Sequence, residues 1–329
     1  MGTSPANDWA GHPGLPVLRQ AIADWPDGIL GVAFSGGADS TALLLAMHHL
    51  QPGRVMALHV NHGLQAAADG FEQHVQSFCR VHAIPLQVQR VAPRLGRGVS
   101  VEASARDARY VALADMARHG GVSSVWLGQH QQDQVETLLL ALTRGAGLPG
   151  LAGMPERMER HGVVFVRPWL GVSGQALRAW LEAQPIAPVD DPTNQDPRYT
   201  RNRIRHRLLP VLQDTFPAYA DTFARSARHI AQAQCLLEEV ARSDMALVGN
   251  PPEIRRLQTL TLARQANLLR AWLREVGARQ ASDAQLRQLQ RQLAACTTRG
   301  HRIHLKVGEG FVRRTGEVLV FERASSSNL

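Results

Sequence analysis

The chain has 329 residues, long for one domain and comfortable for two, and its 44% hydrophobic and 19% charged content is that of a globular protein, which excludes a disordered or fibrous chain. A formal net charge of +8 points to a polyanionic partner, with phosphate-rich nucleic acid the commonest. No apolar run reaches the roughly 18 residues of a membrane span and no basic start leads into an apolar block, so the cytoplasm is the expected location.

Residues 1–15, rich in Gly, Pro and small polar side chains, read as a loose lead-in, followed by a helix over 17–23. The apolar run 29–34 reads as a buried strand and the leucine-rich run after residue 41 as a helix. Between them lies Ser35-Gly36-Gly37-Ala38-Asp39-Ser40-Thr41. Two glycines let the backbone turn tightly and bring its N–H groups up to an anion. Together with the hydroxyls of Ser35, Ser40 and Thr41 and the positive end of the helix, they suit pyrophosphate. No lysine follows the glycines, so this is not a Walker loop; the plain alternative is a simple strand-to-helix turn. Asp39 beside a phosphate pocket is repulsive unless a cation lies between them, which makes it a candidate Mg²⁺ ligand.

A strand over 54–60 ends in His59-Val60-Asn61-His62-Gly63-Leu64, at the strand end where open α/β sheets bind ligands. No cysteine or further histidine completes a metal site there, so loop structure or nucleotide contact is the reading. A helix over 69–82, a strand over 86–91 and a helix over 101–119 follow. On the last, Glu102, Arg106 and Arg109 share a face. A solvated ion-pair face is the plain reading, and reach of Arg109 into the nucleotide pocket the functional one. The strand 123–128 exits into Gln129-His130-Gln131-Gln132-Asp133-Gln134-Val135-Glu136-Thr137. Asp133 and Glu136 fall on one side of a helix's first turns. They read either as N-terminal caps or, since two polar strand exits converge on one crevice, as holders of Mg²⁺ or an ammonium group.

A glycine-rich loop spans 144–154, a strand over 163–169 runs to an Arg-Pro corner, and a helix covers 174–183. Strands alternating with helices predict an α/β fold, a doubly wound, mostly parallel sheet. After a turn-rich loop at 190–194, Arg198, Arg201, Arg203, Arg205, His206 and Arg207 crowd one segment; a basic solvated helix end is the plain reading, and the density favours a phosphate-binding strip, because close guanidiniums repel without an anion. Pro210 reads as a break. Helices are expected over 218–246, 257–276 and 282–295, the last capped by Ser282, and a small antiparallel sheet over 303–321. The expected division is a catalytic domain over 1–215 and a smaller, mainly helical RNA-binding domain over 216–329 that ends in the short sheet. Cys79, Cys235 and Cys296 are scattered, which argues against a disulfide framework or a CxxC metal or redox site.

The loop Ser35-Gly36-Gly37-Ala38-Asp39-Ser40 resembles the PP-loop of ATP pyrophosphatases. With His59 to Leu64, Glu102 and Ala105 to Tyr110, Asp133 to Thr137, Arg144 to Gly147, Gly150 to Met154, Arg167-Pro168, Asp191 to Asn194 and Arg201 to Arg205, residues 29–210 resemble one family of these, the tRNA(Ile)-lysidine synthetases. Beyond 210 the likeness is one of layout. One departure is Gln132, which stands where that family usually has the first of two acids. The resemblance implies a PP-loop, Rossmann-like catalytic domain and a ligase forming a carbon–nitrogen bond. ATP would activate the C2 carbonyl oxygen of the wobble cytidine of tRNA(Ile) with a CAU anticodon. The ε-amine of free L-lysine would then displace AMP. It implies that Ser35, Gly36, Gly37, Ala38, Ser40 and His59 bind the nucleotide and that Asp39 holds Mg²⁺. Arg109 would stabilise the polyphosphate, Asp133 and Glu136 would orient the lysine amine, and Arg201 and Arg205 would contact tRNA or nucleotide. Two rival readings are a PP-loop tRNA thiolase, which needs reactive cysteines or an iron–sulfur site, and a non-catalytic RNA-binding protein, against which the two acid-bearing strand exits argue. The oligomeric state is left open, a homodimer included.

Overall fold

Short apolar runs punctuated by glycine-containing turns build the first half of the chain as strand–helix units. In the computed structural model, residues 9–323 are described except 26, 62, 64–67, 92–100, 190–191, 279–280 and 299. The lead-in 1–8, His62, Leu64, Asp190, Asp191 and the side chain of Glu102 therefore lie outside the described residues. The elements run α1 (Leu15–Ala23), β1 (Ile29–Ala33), α2 (Ala38–Leu50), β2 (Val55–Asn61), α3 (Ala68–Val81), β3 (Leu86–Arg90), α4 (Val101–His119), β4 (Val122–Trp126) and α5 (Gln131–Thr143). They continue with α6 (Leu148–Leu151), β5 (Arg157–Arg160), β6 (Val163–Val166), α7 (Gly174–Glu182), α8 (Thr200–Arg203), α9 (Leu209–Thr215) and α10 (Tyr219–Val248).

The sheet order is β3-β2-β1-β4-β6-β5, parallel except for β5, which runs antiparallel to β6. At the centre Val32 of β1 is in register with Ala57 of β2 on one side and Trp126 of β4 on the other. Chain order reverses at β1, so the crevice at the carboxyl ends of β1 and β4 is the switch point where such sheets bind ligands. Both sheet faces are covered. Helix α2 is apolar all round and buried from Ser40 to Met47, packing on one face with Trp126, Trp169 and Trp180. On the other face Tyr110, Leu113 and Met116 of α4 pack with Leu58, Val125 and Phe165.

The chain divides into two compact units, 1–229 and 230–329, with the division inside α10. In the second unit α11 (Ile254–Thr259), α12 (Leu262–Glu275) and α13 (Asp283–Ala295) precede an antiparallel sheet of β7 (His304–Val307), β8 (Gly310–Thr315) and β9 (Val318–Arg323). Leu257, Leu268, Trp272, Leu289, Val312 and Leu319 form its core. Ser282 caps α13 as expected, in a reciprocal capping box with Gln285.

Three local expectations are corrected and one strand is added. The helix expected over 257–276 is two helices, because Thr261 caps a new N-terminus by accepting from the Arg264 amide. The glycine-rich loop contains the short helix α6. The charged segment Arg157–Arg160 is an edge strand, a place where charge is favoured over an apolar run. Pro210 is no break: a π-turn at Ile204–Leu208 runs directly into α9, whose first turn accommodates the proline. Among the described residues, no helix is long and apolar enough to cross a membrane.

Candidate active site

Gly36 holds φ +85°, a left-handed conformation that favours glycine, and a Cβ there would meet Val75 and Val189 at 3.3 Å. The loop is shaped from within. Ser40 Oγ donates to the Gly37 carbonyl at 2.9 Å and accepts from the Ser35 amide at 3.2 Å, while buried Thr41 donates to the same carbonyl at 2.9 Å. Gly37, extended at the N-cap of α2, offers no side chain to the first helical amides, which leaves them to face an anion. Gly128, just past β4, brings the second strand exit against this turn: a Cβ there would lie 2.8 Å from the Asp39 carbonyl oxygen.

These exits frame a cavity of about 470 Å³ lined by Ser35, Asp39, Ser40, His59, Asn61, Phe71, Arg109, Gly128, Asp133 and Arg201, among others. His59 is buried and its Nδ1 lies 2.8 Å from the Phe34 carbonyl. Because a carbonyl only accepts, Nδ1 carries the proton and ties β2 to β1. Burial lowers the pKa of His59, so the ring is neutral at pH 7. Asn61 donates to Glu72 at 2.8 Å and accepts from the Gly63 amide at 2.9 Å, which fixes the exit of β2. Arg109 pairs with no carboxylate among the described residues. Arg109 is exposed at the cavity wall, and loss of hydration to the surrounding protein, then the positive charges of Arg106, Arg201 and Arg167, lower its pKa against the opposing influence of Tyr110. Among the described residues, then, Arg109 offers the cavity a positive charge that no carboxylate pairs with.

Opposite the loop, the two acid-bearing exits meet through a histidine. His130 Nε2 lies 3.3 Å from Asp39 Oδ2 and 3.6 Å from Asp133 Oδ2, and the imidazole is 2% exposed. Its ring lies flat on Gly174, where a Cβ would come within 2.5 Å of it. Burial works against protonation of His130, but the hydrogen bond to Asp39 and the charges of Asp133 and Asp39 outweigh it, and the pKa is raised. Conversely, burial works to raise the pKa of Asp39, and His130, Arg178 and Arg205 outweigh it, so Asp39 titrates below the ordinary carboxylate range. Arg178 of α7 reaches the other oxygen of Asp39 at 3.2 Å.

Glu136 stands one layer behind. Its carboxylate is fully buried, with Arg201 Nε at 2.7 Å from one oxygen and Arg205 Nε at 2.7 Å from the other. Arg201 also bonds Thr137 at 3.1 Å, and Arg205 lies 3.6 Å from Asp133. The anion expected of the arginine-rich segment is thus internal for three of its members, Arg201 and Arg205 on Glu136 and Arg198 on Asp196 at 2.7 Å, while Arg203 and Arg207 remain exposed. Gln132 turns away from the acids: its carbonyl accepts from the Gly174 amide at 2.8 Å, docking the N-terminus of α7.

Of the residues singled out from sequence, Ser35, Asp39, Ser40, His59, Arg109, Asp133 and Arg201 share the cavity wall. Gly36, Gly37 and Ala38 form the loop backbone, and Glu136 and Arg205 support Asp133 and Arg201 from behind. Two residues were missed. His130 stood in the polar stretch after β4 but carried no spacing signal, and Arg178 lies 139 positions from Asp39. Among the described residues no group of three or more His, Cys, Asp or Glu can by itself hold a metal ion. A hard cation at Asp39 would take phosphate oxygens and water as its remaining ligands, the pattern Mg²⁺ prefers.

Residues 17–212 match the PP-loop domain family, and residues 253–319 match the TilS substrate binding domain. The chain is 58% identical to a tRNA(Ile)-lysidine synthase of Polaromonas naphthalenivorans over 96% of its length and 97% of the relative's. It is 42% identical to the tRNA(Ile)-lysidine synthase of Bordetella pertussis over 84% and 90% of the two lengths. In structure it resembles a U34-tRNA thiolase of Methanococcus maripaludis, with a TM-score of 0.56 at 12% identity, covering 67% of this chain and 78% of that one. At that identity the likeness is one of fold alone.

Proposed function

Because the chain belongs to the tRNA(Ile)-lysidine synthase family, we propose that it joins free L-lysine to C2 of the wobble cytidine of a CAU-anticodon tRNA(Ile), consuming ATP and releasing AMP and pyrophosphate. The observation that carries this reading is the single cavity in which an anion-binding loop and a second carboxylate, Asp133, meet across His130.

In the first half-reaction the cytidine O2 attacks the α-phosphorus and pyrophosphate leaves. The amides of the loop and α2 and the side chains of Ser35, Ser40 and Arg109 hold and neutralise the polyphosphate, and Asp39 is the residue that would hold Mg²⁺, which supplies further charge neutralisation when bound. In the second, the lysine nitrogen bonds to C2 and AMP departs with the former carbonyl oxygen. The amine must shed its protons, and Asp133 would orient it and accept one. His130 fixes Asp39 and Asp133 relative to each other, so both half-reactions share one reference frame. Glu136 acts through the arginines it holds rather than on the amine. The target base must leave its stack, which nucleotides of a loop do most easily. The exposed arginines Arg203 and Arg207 and the second unit are assigned to tRNA, and the reaction to the cytoplasm, where all three substrates are found.

The test is incubation of the full chain with ATP, radiolabelled lysine and CAU-anticodon tRNA. We expect label in the tRNA together with AMP and pyrophosphate; absence of lysine incorporation rejects the reading. No observation favours sulfur transfer: Cys79 is buried with its thiol pushed up to about 12, and Cys235 and Cys296 join no metal-binding cluster among the described residues.

A further inference from the structure

Asp39 has two oxygens, and protein cations take both: His130 on Oδ2 and Arg178 on Oδ1. Each oxygen keeps a second lone pair, but a divalent cation arriving there meets the positive charge already beside it and competes with that partner for Asp39. His130 cannot yield, because its ring is 2% exposed and lies flat on Gly174. Arg178 can, because its side chain is 42% exposed and ends a long stem. The backbone beneath it stays in place: Ser173 caps α7 by accepting from the Ala176 amide, and Gln132 holds the Gly174 amide. The same guanidinium is poised at the phosphate loop. Its NH1 lies 3.2 Å from a carboxylate in the first turn of α2, within one side-chain swing of the open amides after Gly37.

We propose that Arg178 is a further substrate-binding residue, a placeholder cation on Asp39 that transfers to the pyrophosphate end of ATP and stays on it as pyrophosphate leaves. The inference deepens the adenylating role assigned above and rests on it. A guanidinium fork matches two phosphate oxygens at once, which a lysine cannot do. The exchange keeps charge balanced: when Asp39 gains a divalent cation it loses Arg178, and Arg178 finds the anion that arrives with that cation. Since α7 is far from β1 in sequence and its arginine enters the site because α7 packs on α2 with its N-terminus docked on His130, Gln132 gains a role as well. It holds the helix that delivers Arg178.

The experiment measures binding of inorganic pyrophosphate with Mg²⁺ to the full chain by titration calorimetry, in wild type, R178K and R178Q, with melting temperature and tRNA affinity as controls. R178Q is expected to bind pyrophosphate roughly tenfold to a hundredfold more weakly, the loss of a charge-assisted pair, and R178K to fall between. Both controls should stay at the wild-type level. If Arg178 only braces α7 against α2, R178Q lowers the melting temperature while pyrophosphate affinity is unchanged, and the proposal is overturned. Should R178Q not fold, R178K decides by the same comparison. Lysine incorporation by the wild type is a separate readout, so loss of the adenylating role and loss of this assignment are told apart.

Discussion

Glu136 is the residue on which the site's arginines depend, although none of its surface is exposed. Two guanidiniums close on one buried carboxylate, and each is partly solvated, at 27% for Arg201 and 36% for Arg205. Removing the carboxylate leaves two like charges face to face with no anion between them. Breaking a buried pair costs about 3–5 kcal/mol, and the partial exposure of the arginines trims that to about 2–3 kcal/mol here. We expect E136Q to lose that much stability in chemical denaturation and to raise the KM for lysine, because Arg201 and Arg205 no longer frame Asp133. Wild-type stability with an unchanged KM would contradict the clamp. The spacing of Asp133 and Glu136 was legible in sequence, since a helix puts both on one side. Their difference in burial was not, because it depends on a segment 65 or more positions away whose arginines close on both oxygens of Glu136 and reach the Asp133 carboxylate only at 3.6 Å.

At the level of elements, the site depends on two strand exits being fused at one backbone contact, Gly128 against the carbonyl of Asp39. A Cβ at 128 would meet the carbonyl oxygen at 2.8 Å and its carbon at 3.0 Å, both main-chain atoms with no flexible end to give way. G128A must therefore push β4 and the first turn of α2 apart. We expect about 1–3 kcal/mol of lost stability and at least roughly tenfold weaker ATP binding, read by denaturation and calorimetry; unaltered ATP affinity would show that the loop tolerates the shift. The alternation of apolar strands with helices was readable because each has its own period, and the predicted strands 29–34, 54–60, 86–91 and 123–128 correspond to β1 to β4. What escaped was decided by neighbours rather than by pattern. The charged strand β5 exists only because β6 offers it a free edge, and the break before α12 depends on a single capping hydroxyl. His130 and Arg178 escaped for the same reason: their chemistry is made by packing α7 on α2 with its N-terminus docked at the start of α5, not by any local motif.

For the molecule as a whole, stability and charge meet in a buried histidine remote from the phosphate loop. His12 is 3% exposed, wedged edge-on against Trp180 at 4.3 Å and beside Trp169 at 5.4 Å. Its Nδ1 accepts from the Gly14 amide at 3.1 Å, which requires the neutral ring. Burial is the main cause that lowers its pKa to about 4, offset in part by a backbone hydrogen bond and reinforced by His49 on α2. In the unfolded chain a histidine titrates near 6.5, so between about 6.5 and 4 the unfolded state binds the extra proton and acidification favours unfolding. The sign is opposite to that of a histidine paired with a carboxylate: the stability His12 permits is complete above its unfolded pKa and declines as pH falls toward the folded one. One proton changes the slope by about 1.4 kcal/mol per pH unit. Other histidines with lowered pKa, including His48, His59 and His82, add slopes of the same sign, so the decisive quantity is a difference between variants. Denaturation of wild type and H12F across pH 4.5 to 7.5 should give curves that run parallel above about pH 6.5 and converge or cross below it, the variant losing less stability on acidification. Parallel curves over the whole range would mean that His12 takes up its proton in the folded protein as readily as in the unfolded chain.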